Sequence, residues 1–292
     1  MRNLIQFMKD FVVPQSKKEW TISLISITVR NLTVMKKFYT QILGLSVLQE
    51  FDNEVLIGHG RGSIPLFKLV QGNGDSDSFL TTYSIGFRLA KSSQIGELMN
   101  HFIMEEQTII GSGFDGYTTN FYIMDPEENR LKFMVVEDNS SQEVDQYLEG
   151  NEMKRSLHEF IDGIDGASEE FPASARITQL HYNVVDVEAT TEFLINNFSF
   201  KTTYDYVTKR KNFKVNRDGY SLAINSWNER NKNSKSIYGL SMIEWRVPNM
   251  KELENLVLHL EMNQVPFHYY DAYLKVPTKD GIEYCFKVGD HS

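Results

Sequence analysis

The chain has a single cysteine, Cys285, which excludes an internal disulfide framework and any paired-cysteine zinc or redox motif. It has no apolar run near the ~20 residues needed to span a bilayer, so no membrane partner is expected. It also lacks surplus positive charge. With 30 Lys and Arg against 39 Asp and Glu, the net charge is −9, which argues against nucleic acid as a partner. No GxSxG elbow and no HExxH pair is present, so serine-hydrolase and zinc-protease chemistry have no motif to rest on. The opening residues, MRNLIQFMKDFVVP, lack the unbroken apolar core of an export signal, because Lys9 and Asp10 interrupt it. Residues 1–20 read as an amphipathic N-terminal arm, and a cytoplasmic location is expected.

What is present is a repeat. ISITVRNLTVMKKFYTQILGLSVL begins at Ile25 and LHYNVVDVEATTEFLINNFSFKTT at Leu180, 155 residues later. In each, an alternating strand leads to a helix-capping Asn31 or Asp186, and an amphipathic helix follows that carries Phe38 or Phe193. Each of these units continues with three short strands, and each is followed by a second unit of the same kind. The chain therefore predicts four βαβββ units in two consecutive pairs, an α+β fold. One pair occupies residues 21–137 and the other 176–288. Residues 138–175, acidic and containing Ser, Gly and Pro, read as a linker with one short helix near Val144 to Leu157.

Four such units, with DPEENRLKF and PTKDGIEY at the last strands of the two pairs, resemble the vicinal oxygen chelate superfamily of glyoxalases, bleomycin-resistance proteins and extradiol dioxygenases. The resemblance implies two tandem glyoxalase-like modules, each closing a cleft around a divalent metal. The family's ligands are a His or Gln on the first strand, a His opening the second unit and a Glu on the final strand. Such donors suit a borderline or hard cation that must keep an open position for substrate.

Mapped onto this chain, the first module places Leu24, Ser84 and Lys132 in the three slots. Leucine has no donor atom and lysine brings a positive charge, so no metal is expected there. The second module places Gln179 first, Met242 in the middle and Glu283 last. The thioether of Met242 is a soft ligand, poorly suited to iron, manganese, nickel or zinc. Gln179 and Glu283 are the metal ligands if one metal binds. Gln179, Met242 and Glu283 are expected to converge in one pocket with Tyr273, the candidate catalytic residue. His181 or Glu244 stand by as substitute ligands, and Arg246 joins them as a cleft residue. Arg88 and Arg246 occupy corresponding positions, one in each cleft. His59 is expected in a hairpin turn, and Cys285 is expected to pack against a helix, off the face of Glu283.

Within the superfamily, QLHYNVVD, GYTTNFYIMDPEENRLKFMVVED and the YY…IEY ending are similar to CppA-type proteins, a family named for complement-C3-degrading proteinase activity. The name implies proteolysis, yet neither cleft carries a triad, a paired-aspartate motif or a zinc-protease helix. Two function classes remain. One is a fold member with a degenerate metal site that binds a small molecule or protein partner without a cofactor. The other is a divergent metal-dependent enzyme, an extradiol dioxygenase or glyoxalase-type lyase, with one divalent metal (Fe, Mn, Ni or Zn) in the second module.

Overall fold

In the computed structural model, residues 20–60, 64–74, 82–114, 118–136, 153–164, 166–205, 210–215, 220–225 and 238–289 are described, with backbone alone for 202–221. The N-terminal arm lies outside these residues apart from Trp20. Four units follow one another as expected. Unit 1 comprises β1 (Thr21–Val29), α1 (Leu32–Lys37), β2 (Ser46–Glu50), β3 (Glu54–His59) and β4 (Ile64–Gln71). Unit 2 comprises β5 (Thr82–Arg88), α2 (Ser92–Met104), β6 (Ile109–Phe114), β7 (Thr118–Met124) and β8 (Arg130–Val136). The connection holds β9 (Met153–Lys154) and α3 (His158–Ile161). Unit 3 comprises β10 (Arg176–Asn183), α4 (Val187–Phe198), β11 (Lys201–Asp205), β12 (Arg210–Val215) and β13 (Tyr220–Asn225). Unit 4 comprises β14 (Gly239–Val247), α5 (Met250–Met262), β15 (His268–Tyr270), β16 (Tyr273–Pro277) and β17 (Glu283–Val288).

The helix starts are set by the capping residues read from the sequence. Asn31 accepts the Val34 N–H at 3.0 Å and Asp186 accepts the Ala189 N–H at 2.9 Å, satisfying amides that have no helical partner. The first helix ends differently from its counterpart. After Lys37 it widens into a π-helical turn, Phe38–Ile42, closed by the Leu43 N–H donating to the Phe38 carbonyl at 3.0 Å.

The sheets pair units across the halves of the sequence. One eight-stranded sheet runs β15-β16-β17-β14-β1-β4-β3-β2, joining units 1 and 4. The other, nine-stranded, runs β11-β12-β13-β10-β5-β8-β7-β6-β9, joining units 2 and 3. The joins are the antiparallel pairs β1–β14 and β5–β10. Strand alternation sends one face of each sheet into a single shared core. Phe67 of the first sheet meets Phe87 of the second with ring centroids 5.9 Å apart, and the buried hydroxyls of Tyr182 and Tyr284 hydrogen-bond at 2.5 Å. Each sheet therefore presents its polar face on the side away from that core.

The connection after unit 2 is more than a linker. Most of the expected helix over 144–157 lies outside the described residues, and the described helix comes later, at His158–Ile161. β9 pairs with the edge strand β6, and Phe160 and Phe171 enter the core. Phe171 donates its N–H to the Gly44 carbonyl at 3.0 Å, so this segment crosses back over unit 1. His59 is not in a turn. It ends β3, 3% exposed, with Nε2 against the Ala175 carbonyl at 3.1 Å and its ring stacked on Phe171, and burial lowers its pKa.

Candidate functional site

The cross-pairing of units separates residues that the sequence reading brings together. Gln179 and His181 lie on β10 in the unit 2–3 sheet. Met242, Glu244 and Arg246 on β14, Tyr273 on β16 and Glu283 on β17 lie in the unit 1–4 sheet. The expected pocket of Gln179, Met242 and Glu283 therefore does not form, and Gln179 and Glu283 cannot share one metal. The reason is topological, because β14 pairs with β1 and not with β10.

On the unit 1–4 sheet the register defines two neighbouring rows of the polar face. Ser26, Met242 and Glu283 form one, and Leu24, Glu244 and Cys285 the next. Glu244 is the hub. It is 4% exposed, and three donors converge on it: Ser23 Oγ at 2.7 Å and Lys287 Nζ at 2.7 Å on Oε1, and Tyr273 Oη at 3.0 Å on Oε2. Burying a carboxylate is costly unless donors and a counter-charge of this kind are supplied to it. Glu283 faces Lys275 Nζ at 3.4 Å and accepts a long contact from Cys285 Sγ at 3.5 Å.

Cys285 therefore stands on the same face as Glu283, two residues along the strand, and not against a helix. Burial first, then the Glu283 charge, pushes its thiol up to about 12. Burial, followed by the Glu244 charge, likewise raises Tyr273 far above the usual phenol range. Both shifts disfavour the ionised forms, and Tyr273 donates its hydroxyl hydrogen bond to Glu244.

The unit 2–3 sheet repeats this register with different chemistry. His181, Ser84 and Arg130 form the first row, and Gln179, Gly86 and Lys132 the second. The residue that corresponds to Glu283 is thus Arg130, and Lys132 corresponds to Cys285. The expected slot on the final strand was displaced by two residues. Aligning Phe133 with Phe286, core residues of β8 and β17, reveals the offset from sequence alone. The Arg130 guanidinium lies 4.8 Å from the Tyr83 ring centroid and donates to the Tyr83 hydroxyl at 2.8 Å. Tyr83 in turn packs on His181, centroids 4.4 Å apart. Asn225 Nδ2 approaches His181 Nε2 at 2.5 Å, and since an amide nitrogen only donates, Nε2 accepts and the ring proton belongs on Nδ1. Lys132, nine-tenths buried, holds Nζ 5.6 Å from the Tyr122 ring centroid. Arg88 and Arg246 occupy equivalent places in the two sheets, as expected, paired with Arg176 and Thr21.

The donor sets do not fit the family's metal. In the unit 2–3 sheet two cations flank the slots, and in the unit 1–4 sheet Leu24 and Met242 leave Glu283 alone, while Glu244 is committed to Lys287. Among the described residues no group of three His, Cys, Asp or Glu gathers as a metal would require. Among the same residues, no helix is long and apolar enough to cross a membrane.

Comparison with known proteins bears on the family. Residues 21–133 match the family model of the Glyoxalase/Bleomycin resistance protein/Dioxygenase superfamily. A catechol-2,3-dioxygenase of Bacillus subtilis (strain 168) is 23% identical over 243 residues, covering 78% of this chain and 83% of that protein. A solved structure of a Bacillus subtilis protein described as a dioxygenase shares the fold, with TM-score 0.63 and 12% identity over 94% of this chain and 86% of that one. So does the CppA protein of Streptococcus pneumoniae TIGR4, with TM-score 0.56 and 10% identity over 93% of this chain and 99% of that one. Residues 21–133 thus carry a domain of the Glyoxalase/Bleomycin resistance protein/Dioxygenase superfamily, and the chain as a whole shares the fold of these solved structures.

Proposed function

We propose that this chain is a ligand-binding member of the superfamily that works without a metal at the family's ligand slots. One observation carries the reading. In both sheets the positions that would hold the cation are filled by groups that repel it, ignore it or are already neutralised. Arg130 and Lys132 bring positive charge in one sheet, and Leu24 and Met242 offer no hard donor in the other. Lys287 supplies Glu244 with an internal counter-ion at 2.7 Å, where a metal would otherwise have to balance the charge.

A second reading has one observation in its favour, the likeness to catechol-2,3-dioxygenase over most of that protein's length. It would make Glu283, on the same sheet face as Glu244 and Tyr273, the remnant of a divergent metal site. Titration of tag-free protein with manganese, iron(II), nickel and zinc decides between them. The expected outcome is no stoichiometric binding by wild type and newly created binding in Met242→His. Tight binding by wild type that disappears in Glu283→Ala would establish the metal enzyme instead.

A further inference from the structure

We infer that residues 4–12 of the N-terminal arm form an amphipathic helix that docks on the outward face of α5 in the same chain. This docking is independent of whether a metal binds at the family's slots. The sequence supplies the segment. At 3.6 residues per turn, Leu4, Ile5, Phe7, Met8, Phe11 and Val12 fall within one arc of about 160°, and the charged Arg2, Lys9 and Asp10 fall outside it. Pro14 disfavours helix at Val13, which sets the end of the segment. A helix this short, below the ~12–15 residues that are marginal in water, needs a surface on which to bury its apolar arc.

α5 offers that surface. Its inner side, with Leu253, Leu256 and Leu260 buried, packs on β14 and β17. On the outward side Met250, Leu258 and Met262 are 39%, 57% and 61% exposed. With Glu254 they make one row at i, i+4, i+8 and i+12, the kind of ridge against which a second helix packs. The chain delivers the arm to this helix. The Trp20 ring lies edge-on to Phe286 with centroids 5.3 Å apart, and its Nε1–H donates to Glu252 Oε2 at 3.2 Å. Glu252 stands in the first turn of α5, so the arm joins the core at that helix's N-terminal end. Residues 13–19 can reach about 23 Å when extended, enough to lay the segment antiparallel along a helix of ~20 Å. Charge favours the same seat. Residues 1–19 carry four Lys or Arg against two Asp or Glu, whereas the exposed side of α5 carries Glu254 and Glu261 against Lys251. The net charge of −9 on the chain opposes the other apolar seat open to such a segment, an anionic bilayer.

The test is amide exchange on the full chain, read by mass spectrometry, together with peroxide oxidation of Met262. In wild type the amides of residues 4–12 are expected to exchange about tenfold or more slowly than in the isolated peptide. Leu258→Glu is expected to return them to the peptide's rate. Phe11→Glu is expected to abolish the same protection and to speed oxidation of Met262 severalfold. Met104→Glu, at the exposed end of α2, is expected to change nothing. Should Leu258→Glu fail to fold, Phe11→Glu reads the same contact from the arm's side. Unprotected residues 4–12 in wild type would overturn the proposal. So would protection that survives in folded Leu258→Glu or in Phe11→Glu, or that Met104→Glu removes. Two other occupants have their own signatures. Protection that is lost on dilution, together with a dimer seen by light scattering, would seat the arm on a second copy. Protection that arises only with vesicles of phosphatidylcholine and phosphatidylglycerol would seat it on a membrane surface. Either result rules out docking within one chain.

Discussion

Asp125 shows how much a single buried side chain can be asked to do. It opens the turn between β7 and β8, 4% exposed, and accepts from the Glu127 and Asn129 amides, both at 2.9 Å. Its other oxygen accepts from Asn129 Nδ2 at 2.7 Å and the Tyr39 hydroxyl at 3.1 Å. Burial nevertheless dominates these bonds and raises the carboxyl from 3.8 to about 6. An acid whose folded pKa is raised binds its proton more tightly in the native state. Its contribution to stability is therefore full below the unfolded pKa and declines as pH rises from about 4 to 6. Two pH units correspond to roughly 3 kcal/mol. Relative to Asp125→Asn, wild type should lose stability by that order between pH 4 and 7 in urea unfolding. A difference between the two proteins that stays flat with pH, or that grows in the opposite direction, would refute the assignment. Side chains of this kind are partly legible beforehand. The DPEEN turn stands out in the sequence, but nothing local reports that Tyr39, 86 residues earlier, will close over it.

Among elements, those with short-range causes are the ones the sequence announces. Asn31 and Asp186 name their own helices, and strand alternation assigns Ile25, Ile27 and Val29 to the core side of β1. The connection between units 2 and 3 could not be read in that way. Its acidic, glycine-containing composition looks like solvent-exposed chain, while Phe160 and Phe171 have no periodicity to reveal that they are buried. The contact that fixes it lies at Gly44, which ends the first helix with φ of +77°. A Cβ there would fall 2.2 Å from the Glu169 carbonyl oxygen and 2.8 Å from the Phe171 nitrogen, both backbone atoms that cannot rotate away. Gly44→Ala combines left-handed strain of ~1–2 kcal/mol with overpacking of ~1–3 kcal/mol. It should therefore destabilise by roughly 2–5 kcal/mol in urea. It should also speed amide exchange in residues 169–171. A change below about 0.5 kcal/mol, the range of an ordinary surface substitution, would show that the connection does not lean on unit 1.

At the scale of the molecule, the repeat tells that there are four units and leaves open which units share a sheet. Consecutive pairing and crossed pairing bury the same alternating faces and use the same strand patterns, so local sequence cannot separate them. The difference lies in the β1–β14 and β5–β10 joins, long-range pairings that decide which slot residues meet. Gln179 on β10 and Glu283 on β17 therefore lie in different sheets, although the strand pattern around each is the same in either pairing. Crossed pairing has a mechanical consequence. Residues 1–150 contribute β1 to β4 to one sheet and β5 to β8 to the other, and residues 151–292 supply the strand that pairs each join. Alone, either half would expose β1 and β5, or β10 and β14, as unpaired central edges flanked by core side chains such as Ile25, Ile85, Leu180 and Ile243. Neither half should therefore be a cooperatively folded monomer. Expressed separately, each should aggregate or associate with copies of itself through the open edges, whereas co-expression should give a one-to-one complex that unfolds in a single transition. Size-exclusion chromatography with urea unfolding measures both properties. A half that elutes as a monomer and unfolds cooperatively would show that consecutive units can close a sheet on their own, and would return Gln179, Met242 and Glu283 to the same face.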